Sequence, residues 1–318
     1  MTPEAPRLDG RSWALLVVLA VLWSLSFVFI KVSAAAIPVL TLVLIRVGLA
    51  ALVLHAVVIA SARRYPTGAA ILTRYGLMGL FNNVLPGALI VYATARIGAG
   101  AASILNATAP MFALVIAHFA TADEKIDAAK LTGIVLGLGG VAAMAGPQAL
   151  EGLTADLVAV AAMLLATFCY GLSAILGRTF ARIDPTVSAT MQLTASTLML
   201  LPVVLLLDRP WALPMPDLEV ILAAIALALV STALAYVIFF ELIAKAGGTN
   251  AILVTLLIPV GGVFFAWLLL DETMTVGETA GMVLIGLGLL IIDGRLLRRL
   301  ARPKPAIASV SVRQRSKR

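Results

Sequence analysis

The sequence predicts an all-α integral membrane protein of ten transmembrane helices, built as two five-helix repeats of opposite polarity. Three observations predict it. Of 318 residues, 62% are hydrophobic and 12% charged, with a mean hydropathy of +1.07; a soluble domain of this length needs far more polar surface. The apolar residues fall into ten runs, most of them long enough, at about 1.5 Å per residue, to cross a hydrocarbon core roughly 30 Å thick. The second half of the chain also repeats the landmarks of the first.

The repeat is clearest in two stretches. Gly98-Ala99-Gly100 opens a run that carries Asn106 and Pro110, continues apolar to His118 and closes on Asp123-Glu124. Gly247-Gly248 opens a run that carries Thr255 and Pro259, continues to Leu270 and closes on Asp271-Glu272. The separation, roughly 148 residues, holds elsewhere. Trp23-Ser24-Leu25-Ser26 matches Tyr170-Gly171-Leu172-Ser173, Lys31 matches Arg178 and Pro38 matches Pro185. Gly133 and Gly140 match Gly281 and Gly288. Five spans per half is an odd number, so the halves enter the membrane with opposite polarity. An inverted repeat offers two packings of similar energy about one central site, the physical basis of alternating access.

The spans lie near 13–31, 37–60, 70–93, 98–120, 128–146, 155–177, 185–207, 217–243, 249–270 and 275–293, the fifth and tenth being the shortest. Their breaks carry turn and charge signals: Ile37-Pro38, Arg63-Arg64-Tyr65-Pro66, Gly146-Pro147, Asp184-Pro185 and Asp208-Arg209-Pro210. The first span is too long for the core of a signal peptide and reads as retained. The chain thus divides into an N-terminus (1–12), a first repeat (13–146), a second repeat (155–293) and a basic tail (294–318).

Net charge is +7, and nine of the 23 Lys and Arg residues follow Asp293. With a cytoplasmic N-terminus, the inner loops hold Arg63, Arg64, Arg74, Lys125, Lys130, Arg178, Arg182, Lys245 and the tail. The outer loops then hold only Lys31, Arg96 and Arg209. Basic residues concentrate on the cytoplasmic side, so both termini are expected there. The tail is expected to be a solvated topogenic segment lying against anionic lipid. This charge pattern speaks of membrane orientation and not of nucleic acid. Cys169 is the only cysteine, so no intrachain disulfide can form.

The opening Trp23-Ser24-x-Ser26-Phe27-x-x-x-Lys31, Arg46 in the second span, the small-residue entry and Pro110 of the fourth, Glu124 after it and the Gly-rich fifth span together resemble the drug/metabolite transporter superfamily, in its ten-helix EamA-type branch. The resemblance covers about residues 13–293. It implies a basket of ten helices around a central cavity lined mainly by spans 1, 3, 4, 6, 8 and 9. It also implies export of small metabolites, amino acids or drugs across the bacterial inner membrane. The second half departs from the pattern: Tyr170 replaces a Trp, and Leu193 stands where Arg46 predicts Arg.

Polar groups inside apolar spans cost free energy unless paired, which marks them as site candidates. Arg46 is a counter-charge for an anionic or carboxylate-bearing substrate or, on the plainer and slightly favoured reading, an anchor bonded to carbonyls of a neighbouring helix. Asn82 and Asn83 sit near the middle of the third span, just before Pro86. They point about 100° apart, so one of them faces the cavity, binding polar substrate or joining helices. Pro110 and Pro259 each free a carbonyl one turn earlier, near Asn106 and Thr255, where a kink can line the cavity or act as a hinge. Pro86 is a third hinge candidate. Trp23, Tyr170 and Tyr236 supply aromatic surface for a planar or apolar moiety, or simply pack; Tyr92 reads as an interface anchor. Ser24, Ser26 and Ser173 line the site or let helices approach. Gly133, Gly137, Gly140, Gly281, Gly286 and Gly288 serve helix packing, so spans 5 and 10 are scaffold or a homodimer contact.

The chain contains no Walker-type Gly-x-x-x-x-Gly-Lys-Ser/Thr, so ATP is not the direct driver. No paired intramembrane aspartates, Ser–His pair or His-Glu-x-x-His zinc helix is present, which argues against an intramembrane enzyme. No cofactor or metal is called for. None of the sixteen acidic residues lies near mid-membrane, so facilitated or exchange transport is as well supported as proton antiport. The expected partner is a small-molecule substrate. An uptake permease, and a non-transporting scaffold or sensor, are the alternatives to an exporter.

Overall fold

The computed structural model describes residues 10–120, 126–145, 155–180, 182–246 and 254–293, which are helical almost throughout, with no strand among them. Hydrocarbon offers a peptide group no partner, so a spanning chain must bond its own backbone. In the first half, α1 (Gly10–Ser33) is followed by α2 (Val39–Ala60), α3 (Ala69–Ile97), α4 (Ala99–Ala120) and α5 (Ala128–Ala145). The second half holds α6 (Ala155–Gly177), α7 (Pro185–Leu207), α8 (segments Leu218–Ala228, Leu229–Leu234 and Ala235–Ala246), α9 (Val254–Leu270) and α10 (Val276–Asp293). Seven of these helices are long and apolar enough to cross a bilayer, while α5, α9 and α10 are shorter apolar helices. Part of the predicted ninth span, 249–253, lies outside the described residues, as do Asp123-Glu124, Gly247-Gly248 and the basic tail.

The breaks follow the turn chemistry. Asp184 caps α7, its Oδ1 accepting from Thr186 N at 2.8 Å and Val187 N at 3.2 Å, with Pro185 in the first turn, where no N–H is needed. The same oxygen pairs with Arg63 Nη1 at 2.7 Å, tying the end of α2 to the start of α7. Across the protein, Glu272 caps α4: its two oxygens accept from Ala99 N and Gly100 N, each at 3.0 Å. Gly98 reaches this cap at φ +86°, and a Cβ there would sit 2.8 Å from Glu272 Oε2. Glu272 closes α9 in sequence but caps a helix of the other half.

Packing displays the inverted repeat. A Cβ built on Gly133 of α5 would lie 2.6 Å from the Gly288 carbonyl of α10, and one on Gly140 would lie 2.8 Å from the Gly281 carbonyl. Rising residue numbers on one helix meet falling numbers on the other, so α5 and α10 are antiparallel. Gly281 and Gly288 are the repeat equivalents of Gly133 and Gly140. Exchanging the halves therefore maps this contact onto itself, which is the signature of a two-fold axis perpendicular to the helices. The other interfaces come in equivalent pairs: α1 with α9 and α6 with α4, α1 with α8 and α6 with α3, α2 with α8 and α7 with α3. The halves interleave and share one core, which includes Leu16, Leu42, Leu105, Met163, Leu193 and Leu227.

One expectation needs correction: Gly286 does not serve close packing, because a Cβ there would meet nothing within 4 Å. Gly137 does pack, on Met111 of α4, and its backbone also approaches Gly288 of α10. The two prolines differ in their surroundings. Pro110 breaks α4 into Ala99–Asn106 and Ala109–Ala120, whereas α9 runs through Pro259 as one helix. At the break, Ala107 N and Thr108 N turn back to Ile104 O and Leu105 O at 3.1 and 3.0 Å. The Thr108 hydroxyl bonds Leu105 O at 2.8 Å and lies 3.1 Å from Thr167 Oγ1 of α6, which fastens the broken turn.

Candidate functional site

Two helices widen at mid-length, and the site is built around the widenings. In α3, Leu80–Val84 forms a π segment between Ala69–Gly79 and Leu85–Ile97. In α8 the π segment is Leu229–Leu234. They occupy equivalent positions in the repeat, so Asn82 and Asn83 correspond to Ser231 and Thr232. A π turn inserts one residue, leaves local backbone groups imperfectly bonded and often marks a functional site. Pro86 lies just past the first π segment, where its missing N–H leaves the Asn82 carbonyl without its usual helical donor. In the second, the Thr232 hydroxyl donates to the Leu227 carbonyl at 2.8 Å, five residues back.

Asn82 is the hub. Its Nδ2 donates to Gln192 Oε1 of α7 at 3.1 Å, and its Oδ1 accepts from Ser173 Oγ of α6 at 2.9 Å. The Ser173 hydroxyl is also 2.9 Å from the Tyr170 carbonyl. Tyr236 of α8 lies close to the Asn82 side chain. One amide thus joins α3, α6 and α7 beside α8. Arg46 Nε donates to Thr232 Oγ1 of α8 at 3.0 Å. Arg46 acts electrostatically on both Tyr170 and Tyr236. Among the described residues its terminal nitrogens make no hydrogen bond and no carboxylate pairs with it. Its bond to a neighbouring helix, within those residues, goes to a hydroxyl and not to a carbonyl.

Trp23 of α1 packs against Phe239 of α8 with centroids 5.3 Å apart and rings tilted by 50°, one helical turn beyond Tyr236. The structure therefore gathers Arg46, Asn82, Tyr170, Ser173 and Tyr236, with Trp23 beside them. The remaining candidates stand apart from this network. Ser26 turns back onto its own helix, donating to Trp23 O at 2.5 Å. Asn83 is buried with Nδ2 unpartnered, and Asn106 Oδ1 is likewise buried without a partner at the break in α4. Thr255 lies in the first described turn of α9. Ser24 bonds the Ile258 carbonyl at 3.0 Å and faces Gly261, so it joins α1 to α9 just before Pro259. A recess of about 70 Å³ next to Pro259, between α4, α9 and α10, is separate from the cluster and apolar, with Ile104, Met282 and Leu289 in its walls. No group of three or more metal-ligating side chains occurs among the described residues.

Gln192 and Thr232 were not singled out from sequence. Aligning the Asn82-Asn83 pair with Ser231-Thr232 at the repeat separation would have found Thr232. Gln192, beside the already noted Leu193, was legible only as one more polar residue in a span.

Comparison with known proteins agrees with the repeated architecture. The EamA-like transporter family matches this chain twice, over residues 11–146 and 157–293. The chain belongs to the EamA-like transporter family. Among similar proteins of this family-wide pattern, a Salmonella typhimurium protein named as a probable amino-acid metabolite efflux pump is 30% identical over 93% of this chain and 98% of its own length. An Escherichia coli protein of the same name is 30% identical over 90% and 94%. An uncharacterized transporter of Bacillus subtilis is 25% identical over 87% and 95%. A solved crystal structure at 19% identity covers 92% of this chain and 100% of its own with a TM-score of 0.65, showing the same fold. This EamA-type protein is thus a multi-pass membrane transporter, and the family and its relatives' names speak for a carrier and not an enzyme.

Proposed function

We propose that this EamA-type transporter is a secondary exporter of small amphipathic metabolites, amino acids or drug-like molecules, working by alternating access about the Asn82–Arg46 cluster. The observation that carries the reading is the cluster's composition. Polar side chains from α2, α3, α6, α7 and α8, drawn from both halves, meet around the mid-length π segments of α3 and α8, with the Trp23–Phe239 pair alongside. Hydroxyls and amides bind the polar end of such a molecule, and aromatic surface takes its apolar end. The repeats at 13–146 and 155–293 are the units that rock against each other, and both termini lie on the cytoplasmic side of a bacterial inner membrane. The efflux names of the Salmonella and Escherichia relatives support the outward direction.

Cells overproducing the protein should resist toxic amino-acid analogues and accumulate less of them. Arg46→Ala and Asn82→Ala should remove that resistance while the protein remains in the membrane at normal levels. Greater sensitivity on overproduction would point to uptake, and resistance that survives both substitutions would remove the cluster from the binding site.

A further inference from the structure

We propose that the Arg46 site binds the carboxylate group of an amphipathic monocarboxylate, amino acids included, and that the carrier crosses its closed state only with a carboxylate group paired to Arg46, so that it exchanges one carboxylate-bearing solute for another. This rests on the transport reading above and adds to it the substrate's charge and the mode of cycling.

A guanidinium cannot shed its proton in a protein, so Arg46 is charged in every state of the cycle. It lies about 11 Å along α2, and its partner Thr232 is near the midpoint of α8, deep in the hydrocarbon. Thr232 holds Nε and thereby fixes the plane of the group, leaving the terminal fork for a ligand. The matching ligand is planar, anionic and bidentate, which describes a carboxylate. Tyr170 and Tyr236 bring phenol groups to the same place, and Trp23 with Phe239 offers the adjacent apolar surface.

No carboxylate among the described residues pairs with Arg46, and several are engaged elsewhere. Glu241 bonds Arg11 and Lys245, Asp184 bonds Arg63, Asp208 bonds Thr41, and Glu272 caps α4. His55, also on α2, is held between Tyr65 Oη at 2.7 Å and Thr194 Oγ1 at 2.9 Å. Neutralising Arg46 therefore falls to the cargo. Alternating access passes through a state closed to water on both sides. An uncompensated ion in that state is penalised, whereas a close hydrogen-bonded ion pair recovers much of the loss. The loaded carrier should cross faster than the empty one by about a hundredfold or more.

The test uses the purified full chain in liposomes loaded with radiolabelled phenylalanine, in chloride-free sulfate medium at neutral pH so that no small inorganic monoanion substitutes. Efflux should be slow into medium without solute. External phenylalanine or 3-phenylpropanoate should accelerate it by about a hundredfold, and external phenylalaninamide, which lacks the carboxylate, should not. In Arg46→Gln, acid and amide should act alike. These measurements on the unmodified protein do not depend on that variant folding. Equal acceleration by the amide overturns the carboxylate assignment. Equally fast efflux into solute-free medium overturns exchange. In both cases the transport reading stands. No movement of any carboxylate probe overturns the proposal, while the transport reading is then judged separately by the resistance of the overproducing cells.

Discussion

The two π segments occupy the same place in the two halves, yet their polar residues are engaged in opposite order. In α3 the first of the pair, Asn82, is bonded, and the second, Asn83, has an unpartnered Nδ2. In α8 the first, Ser231, has an unpartnered hydroxyl, and the second, Thr232, is bonded. The partners explain the inversion. Asn82 is met by Gln192, whose repeat equivalent is Ile45, and Thr232 is met by Arg46, whose equivalent is Leu193. Each orphan is the residue whose corresponding partner position is apolar. The backbone has kept its two-fold symmetry while the chemistry has split, with an amide site on one side and a cation on the other.

The sharpest way to break this contrast is Arg46→Leu, which makes the two positions alike. Exchange at limiting substrate should fall on the order of a hundredfold, as expected when a charge-assisted contact to substrate is lost. Initial efflux rates on protein that still elutes as a single species would show it, and a rate near that of the unmodified protein would remove the charge from the mechanism. Next in size are the glycines at the contact that the halves share equally. Gly288→Ala and Gly133→Ala should each destabilise the protein by about 1–3 kcal/mol, because the new methyl meets backbone. Gly286→Ala, two residues away and open, should cost nothing measurable. Thermal unfolding in detergent compares the three, and equal melting points would contradict the packing described.

Glu272→Gln should match the glycine effects in size. One of its two accepting oxygens becomes an NH2 donor facing an α4 N–H, and the charge at the helix N-terminus is lost, together about 1–3 kcal/mol by thermal unfolding. Smaller still is the orphan in α3. Asn83→Leu, close in volume and free of an unsatisfied donor, should raise stability by about 1 kcal/mol. A loss of stability would mean that the amide has a partner in the folded protein.

These differences also show what a linear sequence can reveal. The ten spans and the repeat were plain because the bilayer leaves a crossing chain only the helix and demands apolar residues along it. Arg46, Asn82, Tyr170 and Tyr236 stood out for the same reason, as costly residues in that setting. The choice between Asn82 and Asn83 did not, because adjacent residues on a helix face different ways and the inserted residue of a π turn depends on packing against other helices. Gly286 and Gly288 look alike in a glycine-rich run, but only one of them faces α5. Glu272 read as the polar end of a span. Its role as the cap of α4 depends on a contact between residues some 170 positions apart, which no local pattern records.

The contact of Gly133 with Gly288 and of Gly140 with Gly281 has a consequence for descent. A surface that fits its own rotated copy needs no second surface to evolve beside it. A single five-helix chain with glycines at these two positions, inserted in both directions, would already dock with itself through them. Gene duplication and fusion would then lock in the two orientations, freeing position 46 to keep its charge and position 193 to become leucine.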